Sequence, residues 1–157
     1  MDDLYDVLTS DVDSLIPVTN IVHNERYALV IGNQNYRFAA SVPYAIHDAR
    51  VFGNYCGKML GIPSGNIHIA EDATKQMILE EELEDWAGNI SDRDSKQLIV
   101  YYAGHGVPDI KNHNKAYILP TDVRGTNPKR GIALEQFYER LSALGFQQTT
   151  VFIELPP

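Results

Sequence analysis

The sequence predicts an α/β domain in which a mainly parallel sheet lies between layers of helices, a three-layer α/β/α architecture. Three observations carry the prediction. The runs RYALVIG and KQLIVYYAG are continuously apolar, as strands buried on both faces of a parallel sheet must be. Segments with apolar residues every three or four positions alternate with them. QTTVFIE, rich in β-branched residues, closes a series in which strand and helix alternate three times. That order is the pattern of βαβ crossovers with helices on both faces.

Each element has its own justification. RYALVIG starts at Arg26 and ends at Gly32 as the first strand. The first helix follows a polar loop and places Ala49, Phe52, Cys56 and Met59 or Leu60 on one apolar stripe, with Gly61 available to end it. A short strand around NIHIA leads to an acidic helix capped by Thr74. In that helix Leu79, Leu83, Trp86 and Ile90 are expected to face inward, and Glu80, Glu81, Glu84 and Asp85 to face water. After KQLIVYYAG, AYILP reads as a short additional strand between Pro108 and Pro120. The third helix carries Leu134, Phe137, Leu141 and Leu144 on one face and stops at Gly145. Residues 1–24 mix acids with scattered apolar residues and Pro17, giving an extension or arm ahead of a domain over 25–157, with a mobile tail as the equal alternative.

Composition bounds the partners. The chain of 157 residues has the size of one domain. Its 13 basic and 21 acidic side chains give a formal charge of -8, against a nucleic-acid partner, which needs a concentrated basic face. No apolar run reaches the roughly eighteen residues of a membrane span. The start, MDDLYDVLTSDVDSL, has acids where a secretory signal has basic residues, so a soluble, cytoplasmic chain is expected. Cys56 is the single cysteine, which excludes an internal disulfide and a multi-cysteine zinc site. On the apolar stripe it reads as a small buried hydrophobe rather than a nucleophile.

The sharpest chemical feature is Tyr101-Tyr102-Ala103-Gly104-His105-Gly106, a buried strand running into a histidine between two glycines. Glycines let the backbone turn and bring its N–H groups near a substrate. Imidazole exchanges a proton near neutrality, as a general base must. On chemistry alone such a histidine is more often a turn residue than a catalyst.

YYAGHG resembles the histidine motif of the caspase-like cysteine peptidases, the clan of caspases, metacaspases, paracaspases and bacterial relatives. ALVIGNQNYR resembles that family's first strand and loop, and Ala45-Ile46-His47-Asp48-Ala49 its asparagine-aspartate-alanine helix entry. The resemblance spans roughly residues 26–155. It implies His105 as general base, with Gly106 beside the oxyanion site. It also implies a fourth strand ending in an acid, a small residue and the nucleophilic cysteine. Glu154 takes the acidic position, but Leu155 falls at the small position and Pro156 at the cysteine's. A proline offers no nucleophile, so peptidase activity from this chain alone is not expected. The resemblance further matches Asp48 and Glu154 to a pair of S1 acids, implying a protein or peptide substrate with Arg or Lys at P1. For Asp48 the equal alternative is an acid offsetting the helix dipole.

The remaining polar residues receive plainer readings. Asn33 and Arg37 in the first loop are expected to be solvated surface. His113 with Asp109 and Asp122 fits no metal-ligand spacing, and His23, His47 and His68 carry no site, so no metal and no cofactor is expected.

A caspase-like domain normally continues beyond the nucleophile, so this chain is expected to supply the larger-subunit portion only, incomplete at its C-terminal end. QTTVFIE would then leave an open sheet edge. A completing polypeptide, a homodimer through that edge, and a truncated or frame-shifted product all fit. Two rival functions stay open: a pseudo-peptidase scaffold acting through the edge and the arm, and a flavodoxin-like ligand-binding domain. The lack of GxGxxG or GxxxxGK counts against the second.

Overall fold

The computed structural model describes residues 15–112 and 115–156. Four strands form one parallel sheet in the order β2-β1-β3-β7: β1 (Arg26–Gly32), β2 (Ile67–Glu71), β3 (Gln97–Ala103) and β7 (Gln148–Glu154). Helices α1 (Ala45–Lys58), α2 (Met77–Ala87) and α3 (Leu134–Ala143) occupy the three crossovers. Alternation along β1 explains the layers. Ala28 and Val30 pack with Ala45, Ala49 and Cys56 of α1, whereas Leu29 and Ile31 pack with Ile78 and Leu83 of α2 and Phe137 and Leu141 of α3. Both faces of the central strands are therefore dry, which is why their sequences are apolar without alternation. Contact with α1 is close at Gly32, where a Cβ would lie 2.7 Å from Ala49 Cβ.

The first helix keeps its expected stripe, with Leu60 rather than Met59 completing it, and the second departs from expectation. In α1 the buried stripe is Ala45, Ala49, Gly53 and Cys56, with Phe52 half-buried and Met59 exposed past the helix end. Thr74 caps the second helix as expected, its hydroxyl accepting the Met77 N–H at 3.2 Å. The helix then winds as a π-helix, with i→i−5 bonds such as Gly88 N–H to Leu83 O at 3.0 Å. This wider turn changes the inward face from the expected Leu79, Leu83, Trp86 and Ile90 to Ile78, Glu82, Leu83 and Ala87. Leu79, Trp86 and Ile90 are half-buried, while Glu80, Glu81, Glu84 and Asp85 face water as expected. In α3 Phe137 and Leu141 are buried, and Gly145 follows with φ 75.

The short strand at AYILP belongs to a larger feature. Strands β4 (Gly106–Pro108), β5 (Ala116–Ile118) and β6 (Ile132–Ala133) form a small antiparallel sheet in that order. It braces the segment that follows β3, and Ile118 and Ile132 enter the core beneath α2 and α3.

The described part of the N-terminal segment crosses the end of α1. Thr19 N–H donates to Lys58 O at 2.7 Å and His23 N–H to Gly61 O at 2.8 Å, and Ile16 is buried. Gly61 has φ 64, and a Cβ there would meet Ile21 O at 2.1 Å. The rest of the expected extension, residues 1–14, lies outside the described residues, as does His113. Among the described residues no helix is long and apolar enough to cross a membrane.

Candidate active site

The parallel register brings three strand ends level. Gly32 pairs with Ala103, and Ala103 with Glu154. The ladder runs one step further through Asn33 N–H to Ala103 O at 2.8 Å and Gly104 N–H to Glu154 O at 3.3 Å. The loop after β1, the His105 turn and residues 155–156 consequently leave the sheet at its carboxyl edge, where α/β folds collect their polar groups.

His105 is held on several sides. Its Nε2 lies 2.7 Å from Ala40 O in the loop after β1. A carbonyl oxygen can only accept, so Nε2 carries the proton and Nδ1 is the lone pair of the neutral ring. The ring packs on Tyr36 with centroids 4.6 Å apart. The His105 backbone N–H donates to Tyr36 Oη at 2.8 Å, and its carbonyl accepts from Tyr102 Oη at 2.8 Å and Leu119 N–H at 3.0 Å. An imidazole so placed can take a proton from an attacking group and return it to a leaving group. Gly106 opens β4 against the end of β7, where a Cβ would meet Leu155 Cδ1 at 2.7 Å.

Asp48 and Glu154 share one side of this edge. A cleft of about 250 Å³ is lined by Val42, Pro43, Ala45, Asp48, Ala103, Gly104, Glu154, Leu155 and Pro156. Asp48 stands in the first turn of α1 and Glu154 at the end of β7. Tyr101 joins them from β3. Its hydroxyl donates to Glu154 Oε2, and its ring stacks on Phe52 with centroids 4.3 Å apart. Burial, the Glu154 hydrogen bond and the charges of Glu154 and Asp48 all push the Tyr101 phenol above its ordinary pKa, so it stays a donor. Pro156 lies in the same cleft, so position 156 and the His105 turn emerge together.

Some expectations change. Asn33, expected on the surface, is fully buried. Its Nδ2 donates to Ala73 O at 3.2 Å and its Oδ1 accepts the Ala73 N–H at 2.7 Å, tying the end of β1 to the segment after β2. An amide matches a backbone amide group for group, which is why a polar residue survives there. Asp72 reinforces the tie by accepting the Gln34 and Asn35 N–H groups, both at 2.9 Å. Burial raises its pKa, but these bonds outweigh that and hold the carboxyl below its usual range. Arg37 is exposed and lies over Phe38, with Arg124 at 4.0 Å from the same ring. Cys56 is buried on the inner face of α1, and burial pushes its thiol up to about 12, as befits a packing residue. Among the described residues no group of three or more His, Cys, Asp or Glu side chains is placed to hold a metal.

Sequence reasoning missed Tyr36, Ala40, Tyr101 and Tyr102. Ala40 contributes only a carbonyl, which every residue possesses, so no side chain could have announced it. The tyrosines left a fainter signal, since a hydroxyl at the end of a buried strand has to find a partner.

A parallel sheet with both faces covered, its polar groups gathered at the carboxyl edge, defines a three-layer α/β/α protein. The caspase domain family's model matches residues 25–153, most of the chain. The chain belongs to the caspase domain family, and so to a family of peptidases. No curated protein matches it.

Proposed function

We propose that this chain is a caspase-like cysteine endopeptidase domain that prefers Arg or Lys at P1 and, lacking a nucleophile at position 156, is inactive as it stands. The placement of Asp48 and Glu154 on one cleft that Gly104, the chain neighbour of His105, also lines, with the Tyr101 hydroxyl donating to Glu154, supports this most directly. Two carboxylates favour a guanidinium or ammonium group, and a planar guanidinium can be held in bidentate fashion. In the proposed chemistry a thiol beside the cleft gives its proton to His105 Nδ1, and the thiolate attacks the peptide carbonyl. The developing oxyanion lies near the Gly106 backbone. The imidazolium then protonates the leaving amine, and water releases the acyl group. Loss of the nucleophile in triad enzymes costs about 10⁶ in turnover. No cofactor enters this scheme, and a cytoplasmic setting suits its reduced thiol.

A titration followed by NMR tests the specificity without requiring turnover. Nα-acetyl-arginine amide should shift the signals around Asp48 and Glu154, whereas the uncharged citrulline analogue and aspartate amide should not. Replacing Asp48 by Asn should weaken binding by about tenfold, the value of one charge-assisted bond. Equal binding of arginine and citrulline would overturn the basic preference.

A second reading is an interaction scaffold. It is favoured by β7, which among the described residues pairs only with β3 and presents Phe152 half-exposed, with Leu155 half-exposed just beyond its end.

A further inference from the structure

The hydrogen bonds around His105 close into a ring. Its backbone N–H donates to Tyr36 Oη at 2.8 Å. Tyr36 Oη and Tyr102 Oη are 3.4 Å apart, and either could donate on distance alone. The Tyr102 proton, however, points to carbonyls, to His105 O at 2.8 Å with Leu119 O at 3.2 Å. Tyr36 must therefore be the donor to Tyr102. The path runs from His105 N–H to Tyr36, from Tyr36 to Tyr102, and from Tyr102 back to the His105 carbonyl. All donors point one way around it, the arrangement in which each bond polarises the next.

Tyr36 also touches the imidazole itself, since its ring packs on that of His105 at 4.6 Å. One side chain thus fixes both the backbone and the ring face of the histidine. The ring of bonds gives a physical reason for Gly104. A Cβ there would lie 2.6 Å from Tyr36 Oη and 2.7 Å from Tyr102 Oη, breaking both hydroxyl positions. Tyr36 is largely sheltered, and burial, the largest influence, raises its pKa, so the phenol keeps the proton the path requires.

We propose that Tyr36 is a positioning residue for His105: through its hydroxyl and its ring it locks the imidazole against Ala40 O, leaving Nδ1 as the nitrogen that accepts a proton. The inference rests on the reading of His105 as the general base. It is independent of P1 preference and of what supplies a nucleophile.

The test uses the chain as it exists, with ¹⁵N and ¹H NMR of wild type, Tyr36→Phe, Tyr102→Phe and Tyr27→Phe. Wild-type His105 should show one tautomer, with the proton on Nε2, and a protected backbone amide. Tyr36→Phe should move both ring ¹⁵N signals toward the tautomer average and speed His105 amide exchange by about tenfold, the loss of one hydrogen bond. Tyr102→Phe, which opens the ring elsewhere, should raise amide exchange in the same direction. Tyr27→Phe, against Trp86 at the amino end of the strands, should leave the His105 signals unchanged. A merely structural role for Tyr36 would lower stability without shifting the tautomer. Unchanged His105 signals in Tyr36→Phe would overturn the inference, as would a mixed tautomer or unprotected amide in wild type, which requires no variant to fold. Failure of arginine amide to bind would instead strike the specificity of the cleft and leave the hold of Tyr36 on His105 standing.

Discussion

Glu82 is the residue whose position is hardest to reconcile with its chemistry. It is 4% exposed on the inner face of α2, and His68 Nε2 stands 2.8 Å from its Oε2. That separation is an ion-pair distance, but Oε2 has no hydrogen bond of good direction, so the pairing is incomplete. His68 in turn stacks on Trp86, with centroids 5.3 Å apart. Burial raises the pKa of Glu82 above 4.5; His68 opposes that shift and Glu81 adds to it. The sign follows from linkage. A group whose folded pKa is raised holds its proton more tightly in the folded state, so its contribution is complete below 4.5 and is lost as pH climbs through the folded value. Glu82→Gln should therefore match wild type near pH 4 and become progressively more stable than wild type toward pH 7. Urea unfolding midpoints at the two pH values measure the gap, and a constant gap would contradict the account.

Elements in this fold are joined by a few polar ties rather than by packing alone. Arg93 is the clearest case. Its guanidinium donates to Leu144 O at 2.5 Å, to Gly88 O at 2.6 Å and to Ile90 O at 2.9 Å, binding the carboxyl ends of α2 and α3 to one side chain. Those carbonyls lack partners within their own helices, and the negative end of each helix dipole favours a cation there. Only a planar fork reaches carbonyls in different directions at once. Arg93→Lys should cost about 1–3 kcal/mol, seen as a lower urea midpoint with unchanged slope. Asn33 plays the same part at the other end of the sheet, where it joins the end of β1 to Ala73.

At the scale of the whole molecule, the sheet of the described residues ends in two edge strands, β2 and β7, and the β7 flank carries an aromatic run. On the α1 side Phe52, Tyr101 and Phe152 form an aromatic run from helix to outer strand, with Phe152 47% exposed. Among the described residues the outer edge of β7 is unpaired, and such an edge is a template for another strand. Self-association through this flank should grow with protein concentration in sedimentation velocity, and Phe152→Lys should suppress it, since an added charge discourages edge pairing. Equal association of the two proteins would place any contact elsewhere.

Much of this was legible in the chain itself. RYALVIG and KQLIVYYAG declared a doubly covered parallel sheet, because only strands dry on both faces are apolar at every position. The glycine-flanked His105, the acids at 48 and 154, and the buried character of Cys56 could also be read as residue types at particular places in that pattern. Tertiary structure alone decided the rest. The inward face of α2 turned because its hydrogen bonds reach five residues, a choice that apolar spacing does not encode. Asn33 became a buried tie because Ala73, forty residues away in the chain, offers it a matching amide. The hold on His105 comes from Tyr36, Ala40 and Tyr102, on segments that only sheet pairing makes neighbours. Periodicity reports which residues avoid water; which groups meet is fixed by register and by the geometry of each hydrogen bond.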